Sequence, residues 1–416
     1  MAAREGIFPT FFMSGFECST FIWKEQGRRD LVEETQHRAH ADEDYALLPT
    51  LGMAVAREGV PWPIVAKADG GFDFSCVDVF IEAMNKHRVR PIWDLCHYGC
   101  PDGVDPFAPD FGDRFAAYAR AAAEYVCARV EGPRFFTPIN EITFFGFMAG
   151  EWGWIAPFRK TRAERHALRL NLAKAAIAGV KAIREIDPDA RMVHVDPVIN
   201  VVAPRDRPDL AEAARRETYE DAFFVWDVIA GLEHPELGGA PEILDVVGAN
   251  VYSFGQMEYR EEGPHASMEP GDDRILPLAD MLVGVHERYG RPIIVAETSG
   301  LEGGREDWLR DVVHESLAAV NRGVDLHGLC LFPAVDMPDW HTGEWLNNGI
   351  CDLVKQPDGT LKRVPFQPYV DELRRWQREL NRVTEIDNDP FDQPVDLDDI
   401  VAAARRLKPK ADADWH

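Results

Sequence analysis

Short apolar runs separated by longer amphipathic stretches constrain this chain more than any other feature. The runs cover residues 9–16, 52–57, 90–96, 133–139, 191–196, 244–252, 292–297 and 326–333, and helical patterns fall between them at 75–87, 114–130, 163–186, 218–232, 277–289 and 308–322. A run such as Ile293-Ile294-Val295-Ala296 is continuously apolar. Strands buried on both faces read this way, and covering both faces of parallel strands takes crossover helices. In 163–186, Leu168, Leu172, Ala175, Ala176, Ala178 and Ile183 form one broad stripe, and Asp187-Pro188 stops the helix. Eight strands, each followed by a helix or by a segment long enough to hold one, predict an α/β fold built as a single (β/α)8 TIM barrel. An open doubly wound sheet would want a Gly-rich phosphate turn after its first strand, and Ser14-Gly15-Phe16-Glu17 lacks that spacing.

The 416 residues suit one barrel over 1–385 and a C-terminal extension over 386–416, acidic at first and then amphipathic near 395–407, packed on the barrel or partly mobile. A net charge of −26 repels phosphate backbones and anionic lipid, so neither nucleic acid nor membrane is expected as a partner. No apolar run approaches 18 residues, and the stretch 7–16 is broken by Pro9 and Ser14 without the flanks of a secretory signal. Seven cysteines, an odd number, form no disulfide framework. Together these features predict a cytoplasmic protein. Cys96 and Cys100 have no second pair at zinc-ligand spacing, and neither metal nor other cofactor is expected.

Working residues of such a barrel project from the carboxyl ends of its strands. Those ends carry Arg57, His97-Tyr98, Asn140-Glu141, His194 with Asp196, Asn250 with Tyr252, Glu297, and then Asp336, Asp339 and Trp340. Two glutamates, on strands four and seven, thus face one mouth. A neutral and an ionised carboxyl group about 5–5.5 Å apart are what a double-displacement glycosidase needs, one to protonate the leaving oxygen and one to attack the anomeric carbon. Their pKa values have to be driven apart, and Arg57 and Tyr252 are candidate donors to the ionised partner. Singly, each residue has an ordinary structural reading; the set is the signal. Two rivals stay open: a non-catalytic carbohydrate-binding barrel, and a metal-dependent hydrolase using His97, His194, Asp196 and a carboxylate, which lacks a His-x-His pair.

Thr137-Pro138-Ile139-Asn140-Glu141 resembles the strand-four Thr-Phe-Asn-Glu-Pro motif of glycoside hydrolase family 1, the β-glucosidase group of the clan with catalytic glutamates on strands four and seven. Residues 292–297 are similar to the family's strand-seven nucleophile motif, and residues 245–252 to its Asp-Phe-Leu-Gly-Ile-Asn-Tyr-Tyr. Residues 44–57 match its block from helix one to strand two. Leu95-Cys96-His97-Tyr98 with Pro101 matches Leu-His-Trp-Asp-Leu-Pro; Asp336-Met337-Pro338-Asp339-Trp340 stands where the family has Asp-Asn-Phe-Glu-Trp, and Asn348-Gly349-Ile350 where it has Phe-Gly-Leu. The resemblance spans residues 8–380. It implies Glu141 as general acid/base and Glu297 as nucleophile, with Arg57 and Tyr252 beside Glu297. It further implies His97 and Asn140 on the sugar hydroxyls, Asp339 and Trp340 completing the sugar pocket, and a small glycoside or oligosaccharide as the partner. Phe144, Phe145, Phe147, Trp152, Trp154 and Phe158 would line the leaving-group side. Glu17 stands near the family's strand-one Gln, Phe332-Pro333 replaces Trp-Ser, Thr298-Ser299 replaces Asn-Gly, and Asp339 is one methylene shorter than the family's Glu. Such departures imply an unusual sugar or a divergent subgroup. They leave open the sugar, the aglycone, transfer against hydrolysis, and the oligomeric state.

Overall fold

The computed structural model describes residues 5–340, 342–381 and 394–407. Eight parallel strands, β1 (Phe12–Gly15), β2 (Val55–Gly59), β3 (Arg90–Asp94), β4 (Phe135–Thr137), β5 (Arg191–Pro197), β6 (Val246–Asn250), β7 (Ile293–Thr298) and β8 (Leu326–Leu331), close into a barrel in sequence order, with β1 pairing both β2 and β8. Every predicted run overlaps one strand, and those at 52–57, 191–196 and 292–297 stop one or two residues short of its end. The outer layer is α1 (Ala41–Thr50), α2 (Asp78–His87), α3 (Phe111–Cys127), α4 (Arg162–Ile186), α5 (Ala211–Ala222), α6 (Phe224–Ala230), α7 (Leu278–Tyr289), α8 (Arg305–Asn321) and α9 (Gln367–Asn381). The single helix expected over 218–232 is instead two, α5 and α6, broken at Phe223 (φ −130°, ψ −32°).

Strand alternation decides which side chains meet inside the barrel. Val193, Val195, Val246, Ile294, Ala296 and Cys330 belong to the interior cluster, and Phe8 closes its base with its ring 4.6 Å from that of Phe135. Gly248 is required by this filling: a Cβ there would lie 2.8 Å from Val195 Cγ2 and 3.0 Å from the Ala296 Cβ. With Val193 and Val195 inside, His194 and Asp196 point outward, which corrects the expectation that strand five offers them to the mouth. The His194 ring lies 2.9 Å from the Ile243 carbonyl through Nε2, and burial pushes its pKa down to about 4. Asp196 accepts hydrogen bonds from the Thr143 amide and hydroxyl at 3.0 and 2.8 Å.

On β7 the same alternation would turn Glu297 outward with Ile293 and Val295. A bulge prevents this. Val295 pairs with Ala249 but Glu297 pairs with Asn250, so one extra residue is inserted between the two pairs and Glu297 swings into the mouth.

Loops at the mouth carry structure of their own, including the hairpin of Thr20–Trp23 with Gly27–Asp30 and a sheet of Asn200–Val202, Gln256–Glu258 and Ala266–Ser267. At the carboxyl end α10 (Leu397–Arg406) buries Leu397, Ile400, Ala403 and Ala404 and packs on α8 and α9. The remainder of the expected extension, 386–393 and 408–416, lies outside the described residues. Among the described residues no helix is long and apolar enough to cross a membrane.

Candidate active site

Glu141 stands four positions past the end of β4 and caps the helical turn Ile142–Phe145. Its backbone is left-handed (φ +41°), and its amide donates to the Val195 carbonyl at 2.9 Å. That anchor turns the side chain over the barrel axis. Asn250 Nδ2 donates to Glu141 Oε1 at 2.9 Å, and the Tyr98 hydroxyl donates to Oε2. Burial and the nearby Glu297 charge push the Glu141 pKa up to about 7, against the opposing pull of Tyr98 and Asn250.

Glu297 has a different environment. Arg57 Nη1 donates to its Oε1, and the Tyr252 hydroxyl donates to its Oε2 at 2.9 Å. Arg57 is 1% exposed and fixed on its other side by Asp94 Oδ2 at 2.8 Å and Asn140 Oδ1 at 2.7 Å. Burial alone would weaken the guanidinium's hold on its proton, but the Glu297 and Asp94 charges reverse that and keep it ionised. One carboxylate is therefore paired with a fixed cation, while the other has only neutral donors and a repelling neighbour. Asn250 joins the two: it is the register partner of Glu297 and a donor to Glu141.

Both glutamates line one open cavity of about 380 Å³. Of the residues expected at the site, Glu17, Trp154, Tyr252, Asp339 and Trp340 also lie on its wall. Arg57, His97 and Asn140 do not line it. His97 Nδ1 lies 3.0 Å from Asp94 Oδ2, its ring is 3.2 Å from the Asn140 side-chain amide, and Phe332 lies parallel to it at 6.3 Å. Phe332 is on the wall, and His97 and Asn140 belong to the buried network of Asp94 and Arg57 beside it. Burial works against a charged His97, but the Glu17 and Asp94 carboxylates outweigh it and lift the ring to about 9. Within the aromatic segment, Phe144, Phe147, Trp152 and Trp154 line the cavity; Phe158 does not, and Phe145 is buried with its ring 5.9 Å from Tyr98. Asp336 accepts the Gly349 and Leu353 amides at 2.9 and 3.2 Å, which orders the following loop.

Asp94, the contact of Tyr98 with Glu141 and the bridging role of Asn250 escaped the reading of the sequence. Asp94 closes a buried strand as Glu297 does, and that shared signal marks it. Tyr98 stands at the one position of its block where the resemblance replaces an indole by a hydroxyl-bearing ring.

Among the described residues two groups bring three metal-ligand atoms within 4.8 Å of one another: Cys18, Asp94 and His97, and Glu217, Asp221 and His265. In each the carboxylates are already answered by guanidinium groups, Asp94 by Arg57, Glu217 by Arg162 and Arg165, and Asp221 by Arg169. A cation entering either would be repelled by those charges. His97, His194 and Asp196 do not converge among the described residues.

No family model matches this chain, and no curated protein matches it in sequence. Solved structures do match in fold. A family 1 β-glucosidase from Thermotoga maritima superposes with a TM-score of 0.72 at 17% identity, over 90% of this chain and 99% of that one. The Thermotoga maritima β-glucosidase in complex with glucoimidazole gives 0.72 at 18% over the same shares. The AHE enzyme from Alicyclobacillus herbarius gives 0.72 at 16%, again over 90% and 99%. What this chain shares with them is the closed (β/α)8 barrel over nearly their whole length.

Proposed function

We propose that this chain is a retaining β-glycoside hydrolase acting on small glycosides. The observation that carries the reading is the unequal treatment of two glutamates on one cavity, Glu297 paired with Arg57 and Tyr252, Glu141 lifted to about 7. Glu297 attacks the anomeric carbon while Glu141 protonates the departing oxygen, leaving the sugar as an ester on Glu297. Esterification removes the Glu297 charge, so Glu141 loses its main electrostatic reason to stay neutral and deprotonates the incoming water. The sign of the pH dependence follows. The first step needs protonated Glu141, so kcat/KM is expected to fall as pH rises through about 7. Proton NMR of the first-formed sugar tests the stereochemistry: the β-anomer is expected, and the α-anomer as primary product rejects the double displacement.

The wall also narrows the substrate. Among the described lining residues none is Lys or Arg, while Glu17, Glu141, Glu297 and Asp339 are carboxylates, which favours an uncharged sugar. Beyond the glutamates the wall is largely hydrocarbon, with Phe147, Met148, Trp152, Ile199, Phe254 and Met257, which favours an apolar aglycone over a second sugar. Along a methyl-to-hexyl β-glycoside series kcat/KM is expected to climb about threefold per methylene. A 6-phosphorylated analogue is expected at least about tenfold below its neutral parent. A flat alkyl series, or a phosphorylated substrate that is preferred, refutes this assignment.

A further inference from the structure

Two non-glycine residues at adjacent strand ends, Tyr98 (φ +66°) and Glu141 (φ +41°), hold left-handed backbone, a conformation that a Cβ disfavours and that persists only where the surroundings impose it. Their side chains meet, the Tyr98 hydroxyl donating to Glu141 Oε2. The Tyr98 ring is boxed by Trp340 at 5.1 Å and by Phe144 and Phe145 at 5.9 Å each, all at steep angles. Asn140 Nδ2 donates to the Tyr98 oxygen at 3.3 Å, which leaves the phenolic proton for Glu141. With Asn250 on Oε1, both Glu141 oxygens accept a hydrogen bond, and only the ionised carboxylate can accept at both without giving up a lone pair to its own proton.

We propose that Tyr98 is a positioning residue for Glu141, fixing its Oε2 and stabilising the ionised form that deprotonates water in the second half of the reaction. The proposal rests on the role assigned to Glu141 above. The other charged or titratable groups facing Glu141 are Glu297 from β7, His97 from the end of β3, Asp196 from β5 and Tyr252 beyond β6. Glu297 and burial favour the acid form; Tyr98 opposes them. A tryptophan, the residue of the resembling motif, can only donate through its ring nitrogen, whereas a phenol can also accept when Glu141 takes up a proton.

The test replaces Tyr98 by phenylalanine and, separately, by 3,5-difluorotyrosine, a stronger donor of nearly the same shape. Burial and the Glu141 charge raise the pKa of the Tyr98 phenol, so the fluorinated ring keeps its proton at working pH. With an alkyl glycoside, the alkaline limb of kcat/KM is expected to move up by roughly one to two pH units in Y98F and down in the fluorinated protein. A packing role does not give opposite shifts, so limbs that stay put, or move the same way, overturn the proposal. Carbon-13 NMR of the Glu141 carboxyl, identified by its disappearance in E141Q, reads the same shifts without turnover. If no glycoside is hydrolysed but that resonance shifts as described, the hydrolase reading falls and the role of Tyr98 stands. If turnover is normal and the resonance does not shift, the role of Tyr98 falls. Should Y98F not fold, the fluorinated protein decides through its downward shift or its absence.

Discussion

Glu297→Gln is expected to lower turnover by roughly 10⁴-fold or more on every glycoside, whatever its leaving group, because no other group on the wall replaces the attacking oxygen. The substitution keeps shape and leaves Arg57 held by Asp94 and Asn140, so the fold is expected to persist and circular dichroism to match the parent. It removes the charge that repels Glu141. The Glu141 pKa should therefore fall in this variant, a second readout that needs no catalysis. Steady-state rates on dinitrophenyl and alkyl glycosides check the first expectation. Activity within tenfold of the parent on either substrate contradicts it.

Glu141→Ala is expected to divide substrates by leaving group. An alkyl glycoside needs the proton, so its kcat/KM should fall roughly 10²–10⁴-fold. A dinitrophenyl glycoside leaves unaided, and its kcat/KM should stay within about tenfold of the parent. Its kcat should nonetheless fall, because water then meets the ester without a base and the glycosyl-enzyme accumulates. Azide, which needs no base, should restore kcat and yield a β-glycosyl azide. The descending limb near pH 7 should also vanish, since the group that titrates there is gone. Equal losses on both substrates, with no azide effect, would mean that Glu141 is not the acid/base.

The barrel was legible in the sequence because its determinants are local. Eight largely apolar runs stand at the eight strands, and the residues at or near their carboxyl ends include Glu297, Asn250 and Arg57. The facing of each end was less legible. His194 and Asp196 sit on a strand end like the others, yet the phase set by Val193 and Val195 turns them out. Glu297 faces in only because a bulge breaks the phase of β7. Neither can be read from one strand alone, since phase is a property of the filled barrel interior. The wall shows the same limit. Phe332 was visible as a replacement in the strand-eight motif, but that it would stand on the wall with His97 behind it depends on a packing between chain segments far apart in sequence. Tyr98 reads as one more aromatic beside a histidine; its role appears only when the left-handed turns at 98 and 141 bring phenol and carboxylate together. Phe144, Phe147, Trp152 and Trp154 were foreseen on the wall because they follow Glu141 directly, and Phe145 lies beneath them because a helical turn cannot expose all its sides.

The reading turns on Glu297 carrying the sugar as a covalent ester. Incubation with an activated 2-deoxy-2-fluoroglycoside slows both steps but the breakdown of the ester more, so the intermediate can be digested and its peptides weighed. The expected result is one fluorosugar on the peptide containing Glu297, absent from E297Q and released when an acceptor glycoside is added. A fluorosugar on any other residue, or continued hydrolysis by E297Q with no labelled peptide at all, would contradict it.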